Sequence, residues 1–279
     1  MDQPTVGILH PGSMGAAVAG CAAANASEVL WCEAGRSAAS AARATQFGLT
    51  PVAELAELLD CSDIVISLCP PAAAEDLARD VAAHRFAGVY VEANAINPVR
   101  AQRIAALLEP AATVLDGGVV GSPPVDGKTP TLYLSGRDDA TARIEALFAG
   151  TAVRTAVLGA EIGKASALKL SYASFQKTSR VLVALAVGMA REHGVDQELI
   201  EVASQRTDSY LSEPQYIAKT ASRAWRWGPE LEEAADTLAA AGLPPEMLRA
   251  AASTLARWND AKNDGKLTLT DALDRLAQP

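Results

Sequence analysis

Residues 5–15 read TVGILHPGSMG: an apolar run over 6–9, then His10-Pro11-Gly12-Ser13-Met14-Gly15, then an alanine-rich stretch over 16–24. A short β-branched run, a proline–glycine turn and a strong helix former predict strand, tight turn, helix. The spacing is that of the dinucleotide fingerprint G-x-G-x-x-G, with His10 standing where the first glycine belongs. In that fingerprint the second glycine admits a pyrophosphate to the backbone, the third lets helix and strand pack closely, and the phosphates rest on the helix N-terminus. Gly12 and Gly15 hold these two places. The first glycine shapes the turn, so His10 must take up a conformation that glycine adopts freely, while Pro11 biases it toward an extended one. His10, Pro11, Gly12, Ser13, Met14 and Gly15 are therefore candidate phosphate-binding residues, with His10 structural or a cation near the pyrophosphate.

The second part of such a site lies roughly 20 residues on, where an acid binds a ribose 2′-hydroxyl and an arginine accommodates a 2′-phosphate. The sequence there is Trp31-Cys32-Glu33-Ala34-Gly35-Arg36-Ser37, which offers both. Arg36 and Ser37 together supply a guanidinium fork and a hydroxyl at the start of a helix, which favours NADP(H); Glu33 leaves NAD(H) open.

Working outward, short apolar runs recur at 6–9, 29–32, 63–68, 89–92, 113–116 and 132–135, separated in the early part by alanine-rich segments of helical period. Alternation of this kind predicts a parallel sheet with crossover helices, and runs that are apolar throughout predict strands covered on both faces. Past residue 159 the pattern changes. Residues 162–193 contain no proline, and Leu168, Tyr172, Phe175, Ser179, Leu182, Ala186 and Met189 recur at steps of three and four, as in one long amphipathic helix of about 45 Å. The remainder is helical by pattern, with breaks expected at 213–214, 228–229, 242–245 and 264–265, and a last helix over 266–278 capped by Thr268 or Thr270. The expected fold is α/β: a Rossmann-type, doubly wound, mostly parallel sheet over 1–159, then an all-helical domain over 160–279 joined by the long helix.

Composition narrows the function. A net charge of −9 and no long basic stripe argue against nucleic acid, leaving a small-molecule partner. Cys21, Cys32, Cys61 and Cys69 form no C-x-x-C pair and read as buried free thiols, and three scattered histidines give no metal site. With no leader-like opening and no apolar run near the ~20 residues of a membrane span, the expectation is a cytoplasmic protein without a membrane partner.

Four segments, ILHPGSMG, YVEANAINP, KASALKLSYASFQKTSRVLVALAVGMAREHGV and RAWRWGPELEE, together resemble the β-hydroxyacid dehydrogenase superfamily. That superfamily includes 6-phosphogluconate and 3-hydroxyisobutyrate dehydrogenases and is related to the imine reductases. The narrower likeness is to the branch whose phosphogluconate-dehydrogenase-like C-terminal domain has no assigned function, and it spans essentially the whole chain. Replacement of the first glycine is a habit of that branch. The resemblance implies a homodimer formed through the helical domain, and a catalytic helix G-x-x-G-x-G-x-x-x-K-x-x-x-N. Gly163 and Lys169 keep their places in it, Ala160 and Ala165 replace glycines, and Ala173 replaces the asparagine. Lys169 is thereby the implied general acid/base at a substrate hydroxyl or carbonyl.

At about 100° per residue Gln176 and Arg180 lie close to the direction of Lys169, with Ala173 between, so Gln176 is a candidate to reach the substrate where the asparagine is lost. Lys177 points away. The family's substrate segment D-x-P-V-S-G-G corresponds to 116–122, making Val120, Gly121 and Ser122 candidate substrate residues, with Tyr133 either lining the pocket or packing in the sheet. With the serine and the asparagine lost, the resemblance does not carry over the family's standard substrates, simple 3-hydroxyacids and 6-phosphogluconate. The resemblance also implies that Cys69 and Pro70, ending one strand, face the adenosine side of the cofactor. Asn94, at the end of the next, is the candidate contact for the nicotinamide ribose. Trp225, Trp227 and Glu230 stand near a family element whose lysine is absent, and the tryptophans are expected to be buried anchors. The activity expected is hydride exchange between NADP(H) and a hydroxyl or carbonyl carbon of a small, acidic substrate. Imine reduction and cofactor sensing without turnover are the alternatives.

Overall fold

The computed structural model describes residues 3–109, 111–205, 215–240 and 242–277. Contacts divide the chain into two units, Met1–Ala173 and Ser174–Pro279. In the first, the strands are β1 (Thr5–Ile8), β2 (Glu28–Cys32), β3 (Thr50–Val52), β4 (Ile64–Ser67), β5 (Val89–Glu92), β6 (Thr113–Val120), β7 (Thr131–Ser135) and β8 (Arg154–Val157). They form one sheet in the order β3-β2-β1-β4-β5-β6-β7-β8, parallel except where β6 meets β7. The helices α1 (Ser13–Ala22), α2 (Ala38–Gln46), α3 (Leu55–Cys61), α4 (Ala74–His84) and α5 (Pro98–Leu108) make the crossovers from β1 to β6 in turn, and α6 (Asp138–Phe148) joins β7 to β8.

The uniformly apolar strands have a direct cause. Successive residues of a strand face opposite ways. Ile64 and Ile66 enter one core with Val29, Trp31 and Val91, while Val65 enters the other with Leu30, Tyr90 and Val114. With helices on both faces neither set can be polar.

Two strands escape the pattern. β3 is three residues long and contains Pro51, which an edge position tolerates because its missing N–H costs no ladder bond there. β8 is the opposite edge and only partly buried. β6 also runs four residues beyond the apolar stretch at 113–116, because pairing with β7 draws Gly117, Gly118, Val119 and Val120 into the ladder. The glycine-rich segment is therefore strand up to Val120, and the loop begins at Gly121.

The long helix α7 (Lys164–Glu192) begins in the first unit and continues into the second, which holds α8 (Asp196–Ser204), α9 (Tyr216–Ala240), α10 (Glu246–Ala256) and α11 (Leu269–Ala277). The expected break at 228–229 is absent: α9 runs through it. A proline costs a helix one backbone bond, and α9 has tertiary support against this, with Ala221 and Ala224 packed beside Trp258, Ala261 and Ala272. The breaks at 242–245 and 264–265 are present, and the one at 213–214 lies outside the described residues. Thr268 caps α11: its Oγ1 accepts from Asp271 N at 3.1 Å while the Asp271 carboxylate accepts from Thr268 N at 3.2 Å, a capping box.

Of the tryptophans singled out in this unit, Trp225 is 39% exposed and lies under Lys262 Nζ at 4.1 Å from its ring centre. The buried anchor is Trp258, whose Nε1 donates to Ala272 O at 2.8 Å. Among the four free cysteines only Cys32 is buried and Cys61 is exposed, because Cys61 ends a short surface helix. No helix among the described residues is long and apolar enough to cross a membrane.

Candidate functional site: a phosphate turn and a lysine platform

The turn at the carboxyl end of β1 is built as its sequence requires. Gly12 N donates to His10 O at 2.9 Å, closing a tight turn around Pro11, and Gly12 O accepts the first helical bond of α1 from Ala16 N at 2.9 Å. His10 is not among the non-glycine residues in the left-handed region, so the replacement carries no backbone strain. Gly15 is obligatory: a Cβ there would stand 2.2 Å from His10 O, because α1 rests directly on the turn. Gly12 caps α1 without a side-chain bond and the first turn holds no acid, which leaves the N–H groups of 13–15 beyond the helix's own ladder. Ser13 is exposed, Met14 half-buried and Pro11 buried.

Two arginines brace this turn. Arg36 Nη2 donates to Leu9 O at 2.8 Å and Nη1 to His10 Nδ1 at 3.2 Å, while Arg43 Nε donates to Pro11 O at 3.1 Å. Burial, then the charges of Arg36 and Arg43, hold the His10 imidazole below its ordinary range. Ser37 caps α2, its Oγ accepting from Ser40 N at 3.3 Å. Arg36 and Ser37 thus stand beside the turn as expected of a phosphate site. Arg43 was not anticipated, although its place two helical turns after Ser37 was readable from the periodicity. The residues present fit a dinucleotide's phosphates: an uncapped helix start, a backbone stripped of side chains, and two cations with no acid in the first turn of either α1 or α2.

At the neighbouring strand ends lies a buried polar network. Asn94 Oδ1 accepts from Cys69 N at 2.5 Å, and its Nδ2 donates to Ser67 Oγ at 2.9 Å and to Glu92 Oε1 at 2.5 Å. Ser67 and Glu92 are fully buried and Asn94 is 1% exposed. The structure therefore places Asn94 inside the protein, tying the turn at Cys69-Pro70 to the end of β5. Burial first, with the adjacent Asp116 carboxylate adding to it against the hydrogen bonds from Asn94, pushes Glu92 up to about 7. Burial also raises the Cys69 thiol, so it is no activated nucleophile.

Asp116, opposite Glu92 on β6, builds the other half. Its Oδ2 accepts from Gly163 N at 2.9 Å, Ser166 N at 3.0 Å and Ser135 Oγ at 3.1 Å, and its Oδ1 from Ser166 Oγ at 2.5 Å. A buried carboxylate thus caps the start of α7, where the helix dipole favours it. Gly118 lets α7 come down on β6: a Cβ there would meet Ala165 O at 2.9 Å and Lys169 Cβ at 3.0 Å. On this platform Lys169 Nζ donates to Val119 O at 2.5 Å, at the carboxyl end of β6. Val120 is half-buried, Gly121 and Ser122 exposed and Ala173 buried. Gln176 is exposed and belongs to the second unit. Tyr133 is half-buried in β7, opposite Gly118. The side chains of Lys177, Arg180 and Glu230 lie outside the described residues. The capping role of Asp116 was not anticipated; a lone acid closing the apolar stretch 113–116 was the available signal.

A doubly wound sheet whose first turn is stripped for phosphate and flanked by arginines defines a dinucleotide-binding protein. Residues 5–159 match the model of the NAD binding domain of 6-phosphogluconate dehydrogenase, and residues 190–258 match a domain of unknown function, DUF1932. The chain belongs to that NAD-binding family, and thereby to the NAD(P)-dependent oxidoreductases. A Methanothermus fervidus relative, described as an uncharacterized 28.5 kDa protein in the 7S RNA 5′ region, is 26% identical over 178 residues, 64% of this chain and 68% of its own. The fold is shared with the conserved protein MTH1747, itself described as similar to 3-hydroxyacid dehydrogenases (24% identity, TM-score 0.59, 92% of this chain and 98% of that one). An imine reductase from Pseudomonas sp. shares it too (19%, TM-score 0.72, 99% and 100%). So does a reductive aminase from Aspergillus terreus in complex with NADPH and ethyl levulinate (19%, TM-score 0.74, 98% and 99%).

Proposed function

We propose that the protein is an NADP(H)-preferring oxidoreductase that acts at a hydroxyl or carbonyl carbon of a small, acidic substrate, with Lys169 as general acid/base. The observation that carries this is the platform: Asp116 anchors α7, Gly118 admits it, and Val119 O holds Lys169 Nζ at the strand end where ligands of such sheets bind. Bound nicotinamide would supply or take up the hydride. Lys169 would move the proton at the substrate oxygen, and its ammonium form, steered by Val119 O, would steady a developing alkoxide. Arg36, Arg43 and Ser37 would hold the 2′-phosphate beside the turn, and the NADPH bound by the Aspergillus relative is in keeping with that preference. Imine reduction is the second reading, favoured by the imine reductase likeness and by Tyr172, 38% exposed on α7. The same proposal includes a homodimer formed through the helical domain and a cytoplasmic location.

Titration with NADPH and, separately, NADH tests the cofactor assignment. Loss of a charged phosphate contact in Arg36→Ala should cost NADPH binding about 1.5–3 kcal/mol more than it costs NADH binding, whose smaller loss would report the turn that Arg36 braces. Equal losses for both nucleotides would make Arg36 a brace of the turn and no more. Lys169→Ala should then lower turnover of alcohols or ketones by about 10²–10⁴-fold; unchanged turnover removes the lysine from the mechanism.

A further inference from the structure

Arginine has donors and no acceptor. The Arg36 Nη1 contact with His10 Nδ1 at 3.2 Å therefore requires a lone pair on Nδ1, so the one proton of a neutral His10 sits on Nε2. The ring lies over the N-cap of α1: a side chain begun at residue 12 would meet His10 Cδ2 at 3.1 Å and Nε2 at 3.3 Å. Arg36 is itself fixed by Leu9 O, so the orientation of the imidazole is set by backbone. With Arg36 and Arg43 already facing it, a third positive charge is disfavoured there, and His10 is held below its ordinary range.

From this geometry we infer that His10, standing where the first glycine of the fingerprint belongs, is a neutral, tautomer-locked hydrogen-bond donor whose Nε2–H binds the dinucleotide pyrophosphate at the start of α1. The inference rests on the dinucleotide reading above and adds a residue role that the glycine motif lacks. Of the two readings of His10 from sequence, structural or a cation, it departs from the second: the charge at this turn belongs to the two arginines, and His10 contributes direction. Loss of the first glycine is then an exchange, in which backbone bareness at residue 10 is given up for a donor that Arg36 orients.

The test has two arms, both on the full chain. Nitrogen-15 NMR of the three histidines, with His10 assigned by its absence in His10→Phe, should give a bare Nδ1 and a protonated Nε2 at pH 7.5. A protonated Nδ1 or an imidazolium would overturn the proposal. In the second arm NADPH and NADH are titrated against wild type, His10→Phe and His10→Gln. Phe keeps a ring over Gly12 without a donor, and should weaken both nucleotides alike by about tenfold or more, because both carry the pyrophosphate. Gln, which retains an N–H at similar reach, should restore most of the loss. Binding by His10→Phe equal to wild type sinks the proposal and leaves the NADP(H) reading standing. Failure of wild type to bind either nucleotide sinks both. If His10→Phe does not fold, His10→Leu supplies a donorless side chain without restoring the glycine motif, with the same expected loss.

Discussion

At Glu92 a single buried carboxylate sets a pH dependence. Its folded value of about 7 lies above the ordinary 4.5, with burial the leading cause. Between those values the folded chain keeps a proton that the unfolded chain has released, so stability falls as pH rises through the window. The full cost, present above about pH 7, is roughly 3 kcal/mol at 1.36 kcal/mol per pKa unit. Glu92→Gln keeps an oxygen acceptor for Asn94 N and removes the charge. Denaturant unfolding at pH 5 and pH 8 should show the variant's advantage to be small at the lower pH and large at the higher. An equal difference at both would contradict the assignment. Residues acting through near neighbours were legible from sequence: Gly12, Gly15 and Arg36 fall where the fingerprint puts them. Asn94 was legible as a strand-end residue only. Its bonds to Ser67 and Cys69 span 27 and 25 positions of chain, and no periodicity reports them.

At the level of elements, Asp116 and Gly118 seat the start of α7 on β6. Asp116→Ala would strand Gly163 N, Ser166 N and the hydroxyls of Ser135 and Ser166 in a buried place, and should cost about 3–5 kcal/mol in denaturant unfolding. Asp116→Asn retains an acceptor and should cost less; equal losses would mean that charge at the helix start outweighs the bonds. Gly118→Ala should cost about 1–3 kcal/mol by overpacking, and by lifting α7 it should also lower any turnover that depends on Lys169. Destabilisation without that loss would detach the lysine from its platform. Helix α7 was predicted to within two residues at its start because its apolar period is long. The edge strands β3 and β8 were missed for the opposite reason: three or four half-exposed residues carry no period to read.

For the whole molecule, the second unit leaves Val195, Ile200 and Val202 between 47% and 66% exposed around α8, apolar surface that the proposed homodimer would cover. The proposed homodimer predicts a sedimenting mass of twice 28.9 kDa, and a monomer at micromolar concentration would refute it. Sequence by itself determined the doubly wound, mostly parallel class of the sheet, the long helix and the phosphate turn. These follow from periods and turn chemistry within a few residues, where each side chain's environment is dictated by its own strand or helix. Only the tertiary structure decided which groups meet: Arg43 on the turn, Asp116 under α7, Lys169 on Val119 O, and a histidine whose proton is placed by an arginine 26 residues away. Those contacts join segments far apart in the chain. Hydrogen-bond partners are chosen by where the sheet brings strand ends together, and no local pattern records that choice.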